Sequence, residues 1–563
     1  MARSASEPYD LAVLGAGPAG IAGAVAASEA GLSVALLDAS EQTGGQYFRH
    51  PAPTLRARRP HALHHDWPAF ARLRGRLEAS AADHLRAHHV WTVTRESADA
   101  WTVHALTGAD GDGERPVRIR ARAVLLATGA SERHLPFPGW TLPGVVAAGG
   151  AQAMLKSGLV LPGRRIVVAG SGPLLLAVAS SLAAAGAHVP AVVEASGYLG
   201  YARHPRALAA NPHKLLEAAA HGSVLLRHRV RPLTRSAVTE AHGTDRVEAV
   251  TVTRLDRHWR PVPGTGRRIA CDALAVGHGL VPQTELATGL GCATRRTPDG
   301  TTALALDHLQ RTSVPGLWAA GETGGVGGWL LARVEGELAG LAVAAQLRGR
   351  PAPGGRVAEL RRRRDRLRAF AAAMAAAHAP GPGWTGWLTD DTEVCRCEEV
   401  TAGHVREAVS GLGARDARTV KLLTRAGMGW CQGRMCGAAV ACLAAAGTAE
   451  GTVPPSVERR PLAVPVPLGV LAAHPEAAEP EAVRPEAVRP EAAEPEAVRP
   501  EAVRPEAAEP EAVRPEAVRP EAAEPEAVRP EGTEPEAARP EAVRPEGVEP
   551  EGGAGPHGRA DPA

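Results

Sequence analysis

Short apolar runs, several closed by glycine, alternate along this chain with longer stretches of small apolar residues. Residues 11–14 (LAVL) make the first run, suited to a buried parallel strand; Gly15, Gly17 and Gly20 follow, and residues 21–30 read as a helix. A second strand over 32–37 ends at Asp38. The apolar run at 121–127 predicts another, ending at Thr128 and Gly129. The same order restarts at Arg165 with IVVAGSGP: a strand, then Gly170 and Gly172, a helix over 174–185, and a strand over 189–193 ending at Glu194. Residues 222–275 alternate apolar and polar positions in runs such as VEAVTVTRL, the period of a small antiparallel sheet. A further strand at 317–320 ends on Gly321 and Glu322, and a helix over 330–346 follows. The predicted class is α/β, with two Rossmann-like, three-layer units, the second inserted in the first.

Spacing gives the glycines a chemistry. In G-x-G-x-x-G, Gly15 permits a tight turn, Gly17 lets a pyrophosphate approach the backbone, and Gly20 lets helix lie close on strand. The helix N-terminus then faces the phosphates, and Asp38 is placed to accept hydrogen bonds from a ribose. Strand, helix and acid in register near the N-terminus point to FAD. Gly45 and Gln46 in GGQY, and Thr128 with Gly129, are two further places where backbone can meet that dinucleotide; the plainer reading of GGQY is a surface turn. Glu322 can accept from the ribityl chain of a flavin, and the helix after it can face the pyrimidine end of the ring. In the second unit Leu175 stands where the third glycine belongs and should push the helix from the strand. If Gly170 and Gly172 hold a nucleotide, Glu194 favours NAD(H), since a carboxylate repels a 2′-phosphate; the alternative is a unit that binds none.

At 563 residues the chain has room for about three or four domains. No apolar run is long enough to span a bilayer, and MARSASEPYD lacks the core of a signal peptide, so the expected place is the cytoplasm. Five of the seven cysteines lie within 395–442, and an odd count argues for metal or free thiols over a disulfide framework. Cys395 and Cys397 form C-x-C; Cys431 and Cys436 form C-x4-C. Two close pairs can give two sulfurs to each iron of a [2Fe–2S] cluster, with helix-like runs at 401–410 and 417–423 as a cradle. Zinc is the rival, but its usual paired C-x2-C is absent. From Pro475, pentads PEAVR and PEAAE repeat to Gly553 with 22 Glu against 9 Arg, a net of −13 that leaves about +15 on the rest. Proline every fifth residue forbids a continuous helix and no large apolar residue offers a core, so this Pro/Glu/Ala/Arg tail reads as disordered. The scattered arginines elsewhere, without interleaved aromatics, argue against nucleic acid as a partner. HALHH at 61–65 and RRRRD at 361–365 read as solvated faces.

Longer strings carry a resemblance. GAGPAG, GGQ, ATGASERHLPFPGWTLPGV, AGSGPLLLAVA, CDALAVGHGLVPQTEL, GETGGVGG, CRCEEVT and GMGWCQGRMC resemble the A or alpha subunits of bacterial amine and imino-acid dehydrogenases. That group comprises opine oxidases, hydroxyproline and proline dehydrogenases and hydrogen cyanide synthase, with heterotetrameric sarcosine oxidase a larger relative. The resemblance covers residues 8–473. It implies FAD at Gly15, Gly17, Gly20 and Asp38, and a [2Fe–2S] cluster on Cys395, Cys397, Cys431 and Cys436 in a fold similar to bacterioferritin-associated ferredoxin (BFD). It also implies ATP or NADH at the second unit, and a flavin-bearing beta subunit resembling glycine oxidase. Glu322 is a departure, since Asp is commoner there.

The implied division is an FAD-binding domain at 8–150 and 271–350, a second nucleotide-binding domain at 151–270, and a helical linker at 351–389. A BFD-like domain at 390–450, a linker at 451–474 and the low-complexity tail at 475–563 complete it. The implied activity is FAD-dependent oxidation of CH–NH or CH–NH2 donors: an amine or imino acid loses a hydride to a flavin, and electrons leave singly through the cluster. Opine, proline, hydroxyproline and sarcosine stay equally open as substrates, and no His/Asp pair marks a catalytic acid or base. The competing readings are a non-catalytic assembly subunit or a stand-alone NAD(P)H-dependent FAD reductase. A dithiol mechanism is disfavoured, because neither nucleotide unit contains C-x-x-C.

Overall fold

A computed structural model of the protein describes residues 7–108, 114–351, 354–446 and 462–472, all within one compact unit, Met1–Glu481. The repeat tail predicted from 475 lies outside the described residues.

Tyr9–Leu14 lies inside a seven-stranded sheet, parallel on one side to Val34–Leu37 and on the other to Arg115–Leu126. Leu11, Ala12, Val13 and Leu14 are all buried, the pattern of a parallel strand covered on both faces. Arg115–Leu126 serves three pairings. Its first half runs antiparallel to Ala100–Thr107; its second half runs parallel to Tyr9–Leu14 and to Leu317–Ala319. Leu317–Ala319 therefore returns the chain to its first sheet after the second has been built.

The second sheet has five strands, all parallel, in the order Arg231–Thr234, Ala191–Glu194, Ile166–Gly170, Ala273–Gly277, Val145–Ala147. Its two last strands lie outside the span 151–270. Ala273–Gly277 pairs with Ile166–Gly170 and sets Gly277 beside Gly170, so the second sheet extends past the return expected at 271. The antiparallel sheet is present with narrower bounds, as Ser236–His242, Ala249–Arg254 and Arg267–Ala270. Leu175 is buried in the core that the helix Leu174–Ala184 shares with Ile166–Gly170, where it fills space that a glycine would leave.

Glycine also sets how two helices meet. Pro18–Glu29 packs on Trp329–Arg348, and a Cβ at Gly336 would lie 1.9 Å from the Ala19 carbonyl oxygen. One at Gly340 would lie 2.3 Å from the Gly23 oxygen, so the backbones touch. The helix Gly354–Ala377 then buries Leu360, Leu367 and Ala371 against Leu331, Val334 and Leu338, while Arg361 and Arg362 stay exposed as expected. His64 departs from the solvated reading of HALHH. It is buried, 5.2 Å from the Trp67 ring and 5.8 Å from Phe48, and burial pushes its pKa down to about 4, so it stays neutral.

The last described domain pairs Glu393–Cys395 with Val400–Thr401 and adds the helices Ala402–Ser410, Ala417–Thr424 and Gly437–Ala446. Asp416 caps the second of these by accepting from the Arg418 and Thr419 N–H groups at 2.9 and 3.0 Å. Its core is continuous with Leu135, Leu255 and Trp259 of the preceding fold. No helix among the described residues is long and apolar enough to cross a membrane.

Candidate functional site

The loop after the first strand is held open by contacts that only glycine permits. Gly15 has φ +107°, and a Cβ there would lie 2.5 Å from the Ala127 carbonyl oxygen. A Cβ at Gly20 would lie 1.8 Å from the Gly15 oxygen, whereas one at Gly17 would meet nothing closer than Gly45 at 3.9 Å. The first and third glycines are thus filled by the chain's own backbone, and the middle one leaves space. Gly45 abuts Gly17, and Gly44 N–H donates to Ala16 O at 2.8 Å, which ties the GGQY turn to this loop. Gln46 is exposed and accepts from Arg49 at 2.7 Å. Asp38 accepts from the Ala16 N–H and, at 2.7 Å, from the Ser40 N–H; a carboxylate retains acceptor sites beyond these two. A cavity of about 640 Å3 opens alongside, lined by Ser40, Glu41, Gly45, Arg49, His84 and Arg86 among others.

Thr128 and Gly129 join the same edge. Thr128 donates to Gln283 O at 3.0 Å, and Gln283 N–H donates to Gly129 O at 3.0 Å. Gln283 carries no sequence signal.

Glu322 lies in the turn Gly321–Gly324. Its Oε1 accepts from Gly328 N–H at 2.9 Å, and its Oε2 is buried without a hydrogen-bond partner. Burial raises its pKa, against the pull of those backbone donors. An orphaned buried acceptor at this position matches a ligand hydroxyl such as those of a ribityl chain. The glycine cradle and this acceptor fit a flavin dinucleotide.

Sequence reasoning missed Arg368. Its guanidinium forks onto Glu335 at 2.7 and 2.8 Å, donates to Gly321 O at 3.2 Å and also to Gly325 O. Glu335, almost wholly buried, in turn accepts from Gly321 N–H at 3.1 Å. This pair shapes the turn that carries Glu322. The available signal was an acid inside the apolar helix Trp329–Arg348, together with an arginine next to Leu367 on the buried face of its neighbour.

At the second unit, a Cβ on Gly170 would lie 1.7 Å from Gly277 O, so that glycine is required by the sheet. Glu194 is 1 % exposed, and its oxygens accept from Gly172 N–H at 3.0 Å and Ser196 N–H at 2.9 Å.

The four cysteines come together. The Cys397 thiol meets that of Cys431, and the Cys436 thiol meets that of Cys395, so each sequence pair contributes to both facing pairs. Burial first, then Cys395, drives the Cys436 thiol far up. Thiols this close ionise together only around bound cations, which is the condition that metal ligation supplies. Among the described residues no three metal-ligating side chains converge on a single-ion site. A Cβ at Gly429 would lie 2.1 Å from the Cys397 Cβ and 3.3 Å from its sulfur, so this loop too is cut to fit its sulfurs. The donor set fits an iron–sulfur cluster.

Comparison with known proteins agrees. Residues 9–346 match the family described as pyridine nucleotide-disulphide oxidoreductase, and residues 393–445 match the BFD-like [2Fe-2S] binding domain; the two imply FAD and an iron–sulfur cluster. The chain is 33% identical over 435 residues to the HcnB subunit of hydrogen cyanide synthase from Pseudomonas protegens, covering 75% of this chain and 89% of that one. It is 34% identical over 457 residues to the A subunit of opine oxidase from Agrobacterium tumefaciens, covering 78% and 86%. The crystal structure of L-proline dehydrogenase from P. horikoshii shares the fold, with a TM-score of 0.58 at 21% identity over 83% of this chain and 79% of that one. The chain belongs to the pyridine nucleotide-disulphide oxidoreductase family, with a BFD-like [2Fe-2S] binding domain, and its relatives include HcnB and the A subunit of opine oxidase.

Proposed function

We propose that this chain is the alpha subunit of a hetero-oligomeric amine or imino-acid dehydrogenase of the cytoplasm. Its partner is then a flavin-bearing beta subunit resembling glycine oxidase. When bound, a flavin and a [2Fe–2S] cluster supply two-electron and one-electron redox chemistry, the combination that lets electrons from a C–N bond leave one at a time. Gly15, Gly17, Gly20 and Asp38 hold the dinucleotide, with Gly45, Gln46, Thr128 and Gly129 along its length. Glu322 takes a ribityl hydroxyl on its free Oε2, and Arg368 with Glu335 keeps that turn in shape. Cys395, Cys397, Cys431 and Cys436 ligate the cluster. The domain plan is that given by the sequence, with Val145–Ala147 and Ala273–Gly277 moved to the second unit.

The observation that carries this reading is the coexistence, in one chain, of the orphaned Glu322 acceptor and the four gathered thiols. Support for the substrate class comes from HcnB and the opine oxidase relative, each matched over most of its length. The test is co-purification with the product of the neighbouring gene, followed by a screen of opines, proline, hydroxyproline, sarcosine and glycine with a dye acceptor. Dye reduction by one of these amines, abolished by Cys431→Ser, is expected. A complex whose flavin and cluster no amine reduces, but NADH does, would overturn the reading.

A further inference from the structure

We infer that the second nucleotide-type unit is closed by its own chain: its glycine loop is wrapped around His378, and it takes neither NAD(H) nor ATP. This goes beyond the proposed function, which is silent on what that unit holds.

A dinucleotide needs free N–H groups at the turn after the first strand and an acidic side chain with room beside it for a ribose. Gly172 N–H donates to Glu194, and the two Glu194 oxygens accept from backbone at 3.0 and 2.9 Å, as Asp38 does from Ala16 and Ser40 in the first unit, so the difference lies in what covers the carboxylate. His378 follows the helix Gly354–Ala377 and covers that carboxylate, with Nδ1 3.4 Å from Glu194 Oε1. Ser171, in the middle of the G-S-G loop, donates to the His378 carbonyl oxygen at 3.2 Å and shares a 3.1 Å hydrogen bond with Ser196. His378 is 7 % exposed. Two tyrosines close the far side, their rings 6.0 Å (Tyr198) and 5.5 Å (Tyr201) from its imidazole, and Tyr201 stacks on Phe370 of the same helix at 6.3 Å. The fit is tight, since a Cβ at Gly200 would lie 3.0 Å from the Ala377 Cβ. Space beside Gly172, the glycine that would meet a pyrophosphate, is open, so the closure acts at Glu194, where the ribose would have to sit.

The first unit makes the contrast. Asp38 is half-buried with His84 nearby, whereas Glu194 is 1 % exposed beneath His378; the middle glycines, Gly17 and Gly172, face space in both units. One helix therefore serves both loops in different ways. Arg368 braces the Gly321–Gly325 turn of the first unit, and His378 plugs the second. NADH then has no entry through the second unit, which leaves electrons to arrive from another donor.

The test uses the full-length, flavin-loaded protein in equilibrium dialysis with NADH and, separately, ATP, and in anaerobic mixing with NADH followed at the flavin band. The wild type is expected to bind both nucleotides with Kd above about 1 mM and to show no bleaching. His378→Gly, with an unchanged melting temperature, is expected to tighten NADH binding by about tenfold or more. Wild-type binding of either nucleotide below about 1 mM would overturn the inference, as would a folded His378→Gly that gains nothing. If His378→Gly does not fold, the wild-type titration alone decides. Amine oxidation can succeed or fail independently of either result.

Discussion

Replacing Arg368 by leucine separates the brace from the loop it serves. The side chain makes two charged hydrogen bonds to Glu335 and two more to the Gly321 and Gly325 carbonyls. Glu335 is 1 % exposed, so the variant leaves a buried carboxylate with the Gly321 N–H as its remaining hydrogen-bond donor and Arg295 as a further charge nearby. Loss of one member of a buried pair costs about 3–5 kcal/mol, and the 21 % exposure of Arg368 places this case near 3 kcal/mol. Because the freed turn carries Glu322, flavin release should rise by about tenfold as well. The assay is urea denaturation paired with flavin fluorescence on dilution. Glu335→Gln added to Arg368→Leu removes the stranded charge and should recover about half of the lost stability, but not the flavin. An Arg368→Leu protein that unfolds at the wild-type urea concentration and holds flavin as tightly would refute the assignment of this pair as the brace.

Other outcomes follow from single contacts. Gly429→Ala should lose the visible cluster spectrum and keep flavin, because its Cβ would fall 2.1 Å from that of Cys397. Gly336→Ala should lower the melting temperature sharply, since its Cβ would fall 1.9 Å from Ala19 O; overlap of this kind costs about 1–3 kcal/mol or more. Lys156 is buried, donates to Tyr47 O at 3.1 Å, and has its pKa pushed down to about 8 by burial. The unfolded chain therefore binds the extra proton between about pH 8 and the ordinary lysine range, so stability should rise with pH across that window, by roughly 3 kcal/mol at most, as melting curves would show. In Lys156→Met that rise should be absent.

The dinucleotide loop could be read from the chain because its information is local. Gly15, Gly17, Gly20 and Asp38 lie within one strand–helix–strand, and the steric demands that fix them come from backbone a few residues away or from the next strand. The cysteines were legible for a similar reason: thiols are rare and two close pairs leave few partners. What stayed hidden depends on long-range packing. Glu194 ends its strand as an acceptor should, but its cover arrives with His378, far along the chain. Arg368 follows an arginine run in which Arg361 and Arg362 are exposed, and only the burial of Glu335 shows that it turns inward. His64 reads as polar surface in HALHH and is buried because Trp67 and Phe48 close around it. The strand Ala273–Gly277 is a plain apolar run whose choice of sheet is set by pairing with Ile166–Gly170.

The central claim is that one polypeptide holds a flavin and a pair of iron atoms together. Its most direct test is quantification of flavin, iron, zinc and acid-labile sulfide in the full-length protein purified anaerobically. About one FAD and about two each of iron and labile sulfide per chain are expected, with the metal lost in Cys431→Ser and the flavin kept. About one zinc per chain without labile sulfide, or a protein without flavin, would contradict it.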